Sequence, residues 1–257
     1  MKKVTAFVGA ARKGHTYKAT REFLDRLEAF GDVETELVQL SDHRLEICRG
    51  CKLCFSKGEE FCPLKDDRDV LIAKIEASDG VVFASPNYSF QVSGWMKVFL
   101  DRLGFLYHRP RFHGKTATSI VVQGIYGGGR IVKYLDFAAG GLGFWTVKGS
   151  VHTAFEPMTE KEQRKRDASL ARQAATFHAA LLKPPHRSPS LLPLALFRMG
   201  RASIGVELDE TSRDWRYYRD QGWFDANYYY PTRLGPVKRA LGGLADIIGT
   251  RMAKSRG

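Results

Sequence analysis

Gly9-Ala10-Ala11-Arg12-Lys13-Gly14-His15-Thr16 stands between a short β-rich apolar run, residues 3–8, and a segment of helical period that begins at Thr16. A phosphate placed in such a turn meets the unpaired backbone N–H groups of a helix start, the positive end of the helix dipole and the Arg12 cation. Thr16 adds a hydroxyl. The segment is not a Walker A loop, because the Gly-Lys-[Ser/Thr] ending is missing. Glycine and basic residues are also ordinary turn formers, so this loop takes its meaning from what surrounds it.

Outward from it, short β-rich runs alternate with longer helical ones, the pattern of a parallel sheet covered by helices on both faces. The runs 3–8, 33–40, 80–84, 116–123 and 144–149 read as five strands. Helices are predicted over 16–29, with Ala19, Phe23, Leu24 and Leu27 inward, then over 67–77, 93–103 and 160–182, with another opening at Gly127-Gly128-Gly129. A first strand ending in a phosphate-type turn suits an α/β sheet of order 2-1-3-4-5, whose ligand lies beyond the carboxyl ends of the strands.

Two more loops leave that same edge. Ser85-Pro86-Asn87-Tyr88-Ser89-Phe90-Gln91 follows strand three, and Tyr88 and Phe90 offer aromatic surface beside backbone amides, as a flat ring with polar edges requires. Gln123-Gly124-Ile125-Tyr126-Gly127 follows strand four, where glycine lets a ligand approach the backbone. Each is weak singly; their convergence carries the reading.

The first loop, the Cys48 segment running into Asp66-Asp67, and Ser85 to Tyr88 continuing to Asp101-Arg102 resemble the NADPH-dependent FMN reductase family of flavodoxin-like proteins, particularly its iron-sulfur flavoprotein branch. The likeness covers roughly residues 3–180. It implies a flavodoxin-like three-layer fold and bound FMN. Arg12, His15 and Thr16 would surround the FMN phosphate, Pro86, Asn87, Tyr88, Ser89 and Phe90 would frame the isoalloxazine and ribityl chain, and Gln123, Gly124, Ile125 and Tyr126 would border the ring's other edge. Ala10 departs from the serine usual after the first glycine. A hydrogen bond involving charge contributes about 1 to 3 kcal/mol, so weaker flavin binding is expected.

All four cysteines fall in Cys48-x2-Cys51-x2-Cys54-x7-Cys62-Pro63. Such clustering points to a metal site; three closely spaced thiolates and a fourth before proline can wrap a cubane cluster, and zinc also accepts four thiolates. The resemblance implies a [4Fe-4S] cluster on Cys48, Cys51, Cys54 and Cys62. Unliganded thiols in a covering loop stay open as an alternative. Asp66 and Asp67 read as the start of the next helix.

These features lead to an FMN-dependent NAD(P)H oxidoreductase passing electrons to a quinone, flavin or other small acceptor, or else to an iron-sulfur electron carrier serving a redox partner protein. The flavin carries the chemistry, so no catalytic dyad is nominated. Arg109 and Arg111 are candidate contacts for nicotinamide nucleotide phosphates, and His108 and His113 read as loop or interface residues. The net charge of +12 favours anionic partners. No recognised nucleic-acid module is present, and nucleic acid is not the expected partner.

After Lys183 the texture changes to prolines, an aromatic cluster from Trp215 to Tyr230, and a basic amphipathic last helix with Val237, Leu241, Leu244, Ile248 and Met252 at helical spacing. The expected domains are therefore 1–183 and a helical extension, 184–257. That helix is expected to dock on the core or a second subunit, with membrane-surface contact as the alternative. The aromatic surface, together with the family's habits, points to a homodimer or homotetramer. No signal-like segment or membrane-spanning run appears in the sequence, since spanning needs roughly 20 apolar residues; a cytoplasmic protein is expected.

Overall fold

The computed structural model describes residues 1–255, which leaves Arg256, one of the basic residues of the tail, outside the described part. In chain order the elements are β1 (Lys2–Val8), α1 (His15–Glu28), β2 (Val33–Gln39), α2 (Leu53–Ser56), α3 (Arg68–Glu76), β3 (Gly80–Pro86), α4 (Gly94–Arg102), β4 (Thr116–Gln123), α5 (Gly128–Gly141), β5 (Trp145–Thr146), β6 (Ser150–Thr153), α6 (Glu160–Leu181), α7 (Leu191–Glu207), α8 (Arg213–Asp220) and α9 (Pro236–Lys254). The chain forms two compact units. The first comprises residues 1–48, 64–104 and 110–183, and the second 49–63, 105–109 and 184–257. The texture change at Lys183 thus coincides with a boundary, but two inner segments belong with the C-terminal part.

The first unit is a parallel sheet of order β2-β1-β3-β4-β5, the flavodoxin-like arrangement, with β6 also paired to β4. Side chains alternate across it. Val4, Ala6, Val8, Val82, Ala84, Ile120 and Val122 face one way and pack under Phe23, Leu24 and Leu27 of α1 and Leu170, Phe177 and Leu181 of α6. On the other face Phe7 meets Phe83 and Phe99, at ring centroids 6.4 and 5.0 Å apart. The inner strands β1, β3 and β4 are buried along nearly their whole length, as a sheet covered on both faces requires, and the few polar side chains in them, such as Thr5 and Thr118, are hydrogen-bonded.

The predicted fifth strand is broken in two. Thr116↔Trp145 and Ala117↔Thr146 pair at the start of β4, and Ile120↔Ser150 to Gln123↔Thr153 at its end. Between them Gly149 runs so close to β4 that a Cβ there would lie 2.6 Å from the Ser119 carbonyl oxygen. Its N–H donates to Asp136 of α5 at 3.1 Å.

In the second unit the aromatic cluster is internal. Trp223 packs edge-on to Tyr218 (4.9 Å) and Tyr229 (4.8 Å), and its indole N–H donates to the Tyr229 carbonyl at 3.0 Å. Tyr218, Trp223, Tyr228 and Tyr230 are buried. Trp215, Tyr217, Phe224 and Tyr229 are half-buried around them. The last helix also differs from expectation. α9 packs on α7 through its small residues Gly242, Ala245, Gly249 and Ala253, which are buried, while Val237, Leu241, Leu244, Ile248 and Met252 are exposed. A Cβ on Gly249 would lie 2.5 Å from the Met199 carbonyl oxygen, so the close approach selects the glycine face and turns the bulky one outward.

Candidate functional site

The three loops named from the sequence meet at the carboxyl edge of the first unit's sheet. Val8 pairs with Ala84 and Pro86 with Val122, so β1, β3 and β4 end side by side. Gly9 N–H donates to Ala84 O at 2.8 Å and Asn87 N–H to Val122 O at 2.7 Å. A Cβ on Gly9 would lie 2.6 Å from Ser93 Oγ and 2.8 Å from Met96 Cβ. Only glycine lets the first loop run this close to the start of α4.

In the first loop α1 begins without a side-chain cap on Gly14 and without an acid in its first turn. Its ladder starts with Lys18 N–H to Gly14 O at 2.9 Å, so the N–H groups of His15, Thr16 and Tyr17 precede it. Arg12 and Lys13 are exposed beside that end, and Thr16 is buried. These donors and cations suit a phosphate group. His15 Nε2 lies 3.0 Å from Glu156 Oε1, and Gln39 Nε2 donates to Ala11 O at 2.8 Å, pinning the loop. Neither partner carries a sequence signal, since Gln39 reads as an ordinary strand position and Glu156 is remote in the chain. Ala10 is buried in the apolar cluster under α1.

The second loop closes on itself. Tyr88 and Gln91 exchange both backbone hydrogen bonds at 3.0 Å, and the intervening Ser89 (φ 50°) and Phe90 (φ 63°) are both left-handed. Two such residues in succession, neither glycine, are sterically costly and mark a turn held by its surroundings. The Phe90 ring meets Tyr126 at 5.1 Å, and Tyr88, Phe90, Ile125 and Tyr126 are all exposed. The polar members are spent on shape. Asn87 Nδ2 donates to Tyr126 O (2.8 Å), Gln123 Nε2 to Ile125 O (3.1 Å), and Gly128 N–H donates to Gln123 Oε1 (2.7 Å) at the start of α5. Asn87 and Gln123 thus position the third loop, leaving an aromatic rim that suits a flat ring. The donor end of α1 and this rim together fit FMN.

The cysteines are arranged otherwise. None forms a disulfide, Cys48 and Cys51 are exposed, and among the described residues no three or more His, Cys, Asp or Glu gather into a metal-holding group. Cys51, Cys54 and Cys62, the three that share the second unit, do not fit a thiolate cage as placed. Asp66 is a buried structural anchor rather than a simple helix cap. Arg102 Nη2 donates to its Oδ1 at 2.8 Å and the Glu46 N–H to its Oδ2 at 2.9 Å. Burial pushes that carboxyl up, but the bonds from Arg102, Glu46 and Arg68 outweigh it and hold it below the usual carboxylate range.

Arg109 is no nucleotide contact. It is fully buried in the second unit, bonded to Asp214, to Glu59 Oε2 at 3.0 Å and to Cys54 O at 2.8 Å. His108 Nδ1 lies 2.7 Å from Asp214 Oδ2, in keeping with a loop role. Arg111 faces Glu76 at 3.7 Å.

The sequence model of NADPH-dependent FMN reductases matches residues 2–156. An iron-sulfur flavoprotein of Archaeoglobus fulgidus is 40% identical over 121 residues, 47% of this chain and 54% of that protein. One from Clostridioides difficile is 30% identical over 169 residues, 63% of this chain and 73% of the relative. The chain thus spans little more than half the length of the Archaeoglobus relative. Among solved structures, RosB with bound 8-demethyl-8-formylriboflavin-5'-phosphate superposes with a TM-score of 0.56 at 15% identity over 92% of each chain, a likeness of fold.

Proposed function

This chain belongs to the NADPH-dependent FMN reductase family, in its iron-sulfur flavoprotein branch, and on that premise we propose that it takes electrons from NADH or NADPH and passes them to a quinone, flavin or other small acceptor. The observation that carries the reading is the convergence of an uncapped, acid-free helix start with a strained aromatic turn at one sheet edge. Arg12 and the leading amides of α1 would hold the FMN phosphate, and Thr16 would close its inner side. Tyr88, Phe90 and Tyr126 would flank the ring, while Asn87 and Gln123 keep the third loop from collapsing into its place. Held there, FMN would supply hydride-accepting and one- or two-electron redox chemistry.

The test is a visible spectrum of anaerobically purified, FMN-loaded protein, with NADH or NADPH then added and iron and acid-labile sulfide assayed on the same sample. Rapid bleaching of the flavin by either nucleotide supports the reductase. Slow or absent bleaching with stoichiometric iron and sulfide would replace it by the electron-carrier reading. Protein that takes up no FMN would remove both.

A further inference from the structure

We propose that the outward face of α7 and α9 docks on an anionic lipid bilayer. The face is built by a conflict within α9. Its glycine and alanine stripe is taken up by α7, where Ser203 Oγ donates to Gly249 O at 3.3 Å, and this leaves Val237, Leu241, Leu244, Ile248 and Met252, recurring every three to four residues, 40 to 70% exposed. On α7 the same kind of stripe, Leu192, Leu196, Met199 and Ser203, runs along the contact, and its first two members are exposed as well. Helical spacing thus gathers exposed large apolar side chains from two neighbouring helices, which isolated surface leucines do not do.

Charge selects the occupant. The two helices contain two acids, Asp246 and Glu207. Asp246 is committed to Arg198 and to Arg201, whose Nη2 lies 2.9 Å away, and Glu207 sits at the last turn of α7. Against them stand the exposed cations Arg251 and Lys254 in the last turns of α9. A second copy on this face would bring the same cations to the seam with no acid on the stripe to receive them. Anionic headgroups neutralise them while the acyl boundary takes the leucines, the arrangement of a helix lying in an interface. No described helix is long and apolar enough to cross a membrane, so the mode is lying on the surface.

Flotation of the full, FMN-loaded chain with vesicles tests this. Binding is expected to phosphatidylcholine mixed with phosphatidylglycerol, weak binding to phosphatidylcholine alone, and release as salt is raised. The paired substitution Leu244→Glu and Ile248→Glu is expected to lower partition by about a hundredfold, and Arg251→Glu with Lys254→Glu by about tenfold, without changing the circular dichroism or Tm, because all four side chains are exposed. No flotation with the mixed vesicles, or flotation unchanged by L244E/I248E, would overturn the proposal. So would a lipid-free dimer that L244E/I248E splits, which would assign the face to a second copy.

Discussion

Phe90 is the residue at which backbone cost and surface chemistry meet. Its left-handed φ of 63° disfavours a β-carbon by about 1 to 2 kcal/mol, yet its ring stands exposed beside Tyr126. Were it a packing residue, glycine there would lose contacts and destabilise the protein. As a ring wall it would lose ligand instead. Phe90→Gly is therefore expected to leave Tm unchanged or a few degrees higher, because the relieved strain offsets the roughly 0.5 to 1.5 kcal/mol aromatic contact, while FMN affinity falls about tenfold by fluorescence titration. A lowered Tm with FMN affinity intact would make Phe90 structural.

At the scale of elements, the broken fifth strand owes its second half to polar bonds as well as to the ladder. His152 of β6 lies 2.7 Å from Ser150 Oγ, which donates to Gln173 Oε1 of α6 at 2.5 Å, and Gln173 Nε2 donates to Thr118 Oγ1 of β4 at 2.9 Å. Since the Ser150 hydroxyl proton is directed to Gln173, it accepts from His152 Nε2–H, a donor in both the neutral and the protonated ring, and burial selects the neutral one. Burial, helped by the Arg166 cation, lowers the His152 pKa to about 4 from 6.5. Between those values the unfolded chain binds a proton that the folded chain refuses. Stability contributed by this group is whole above pH 6.5 and declines as pH falls toward 4, by on the order of 3 kcal/mol. His152→Gln keeps a donor for Ser150 without the proton uptake, so Tm measured from pH 7 to 4 is expected to fall less steeply than in the natural sequence. An unaltered acid slope would assign the decline to other groups.

At the scale of the molecule, the C-terminal extension and the cysteine loop form one folded unit. Arg109 is buried between Asp214 of α8, Glu59 and the Cys54 carbonyl, and the Phe55 ring packs tilted against His108 with centroids 4.3 Å apart. Removing one partner of a buried ion pair strands the other charge, which costs about 3 to 5 kcal/mol. Asp214→Ala is expected to unfold the second unit at lower denaturant and to speed protease cleavage within residues 49–63. Cleavage at the native rate would show that Glu59 suffices to hold Arg109.

The amino-acid sequence by itself determined the parallel sheet and its three converging loops, because apolar period and strand-end glycines are local signals and parallel strands leave their ligand loops at one edge. Residues 144–149 read as one strand, since nothing nearby in the chain reveals that Gly149 must skirt Ser119. Arg109 reads as a candidate contact for nucleotide phosphates because Asp214 is remote in the chain, and the last helix reads as amphipathic from its bulky residues alone. Tertiary structure alone decided these. Close backbone approach selected the glycine face of α9, burial turned Arg109 from ligand donor to internal anchor, and the strain at Phe90 arose only where Tyr88 and Gln91 closed their turn.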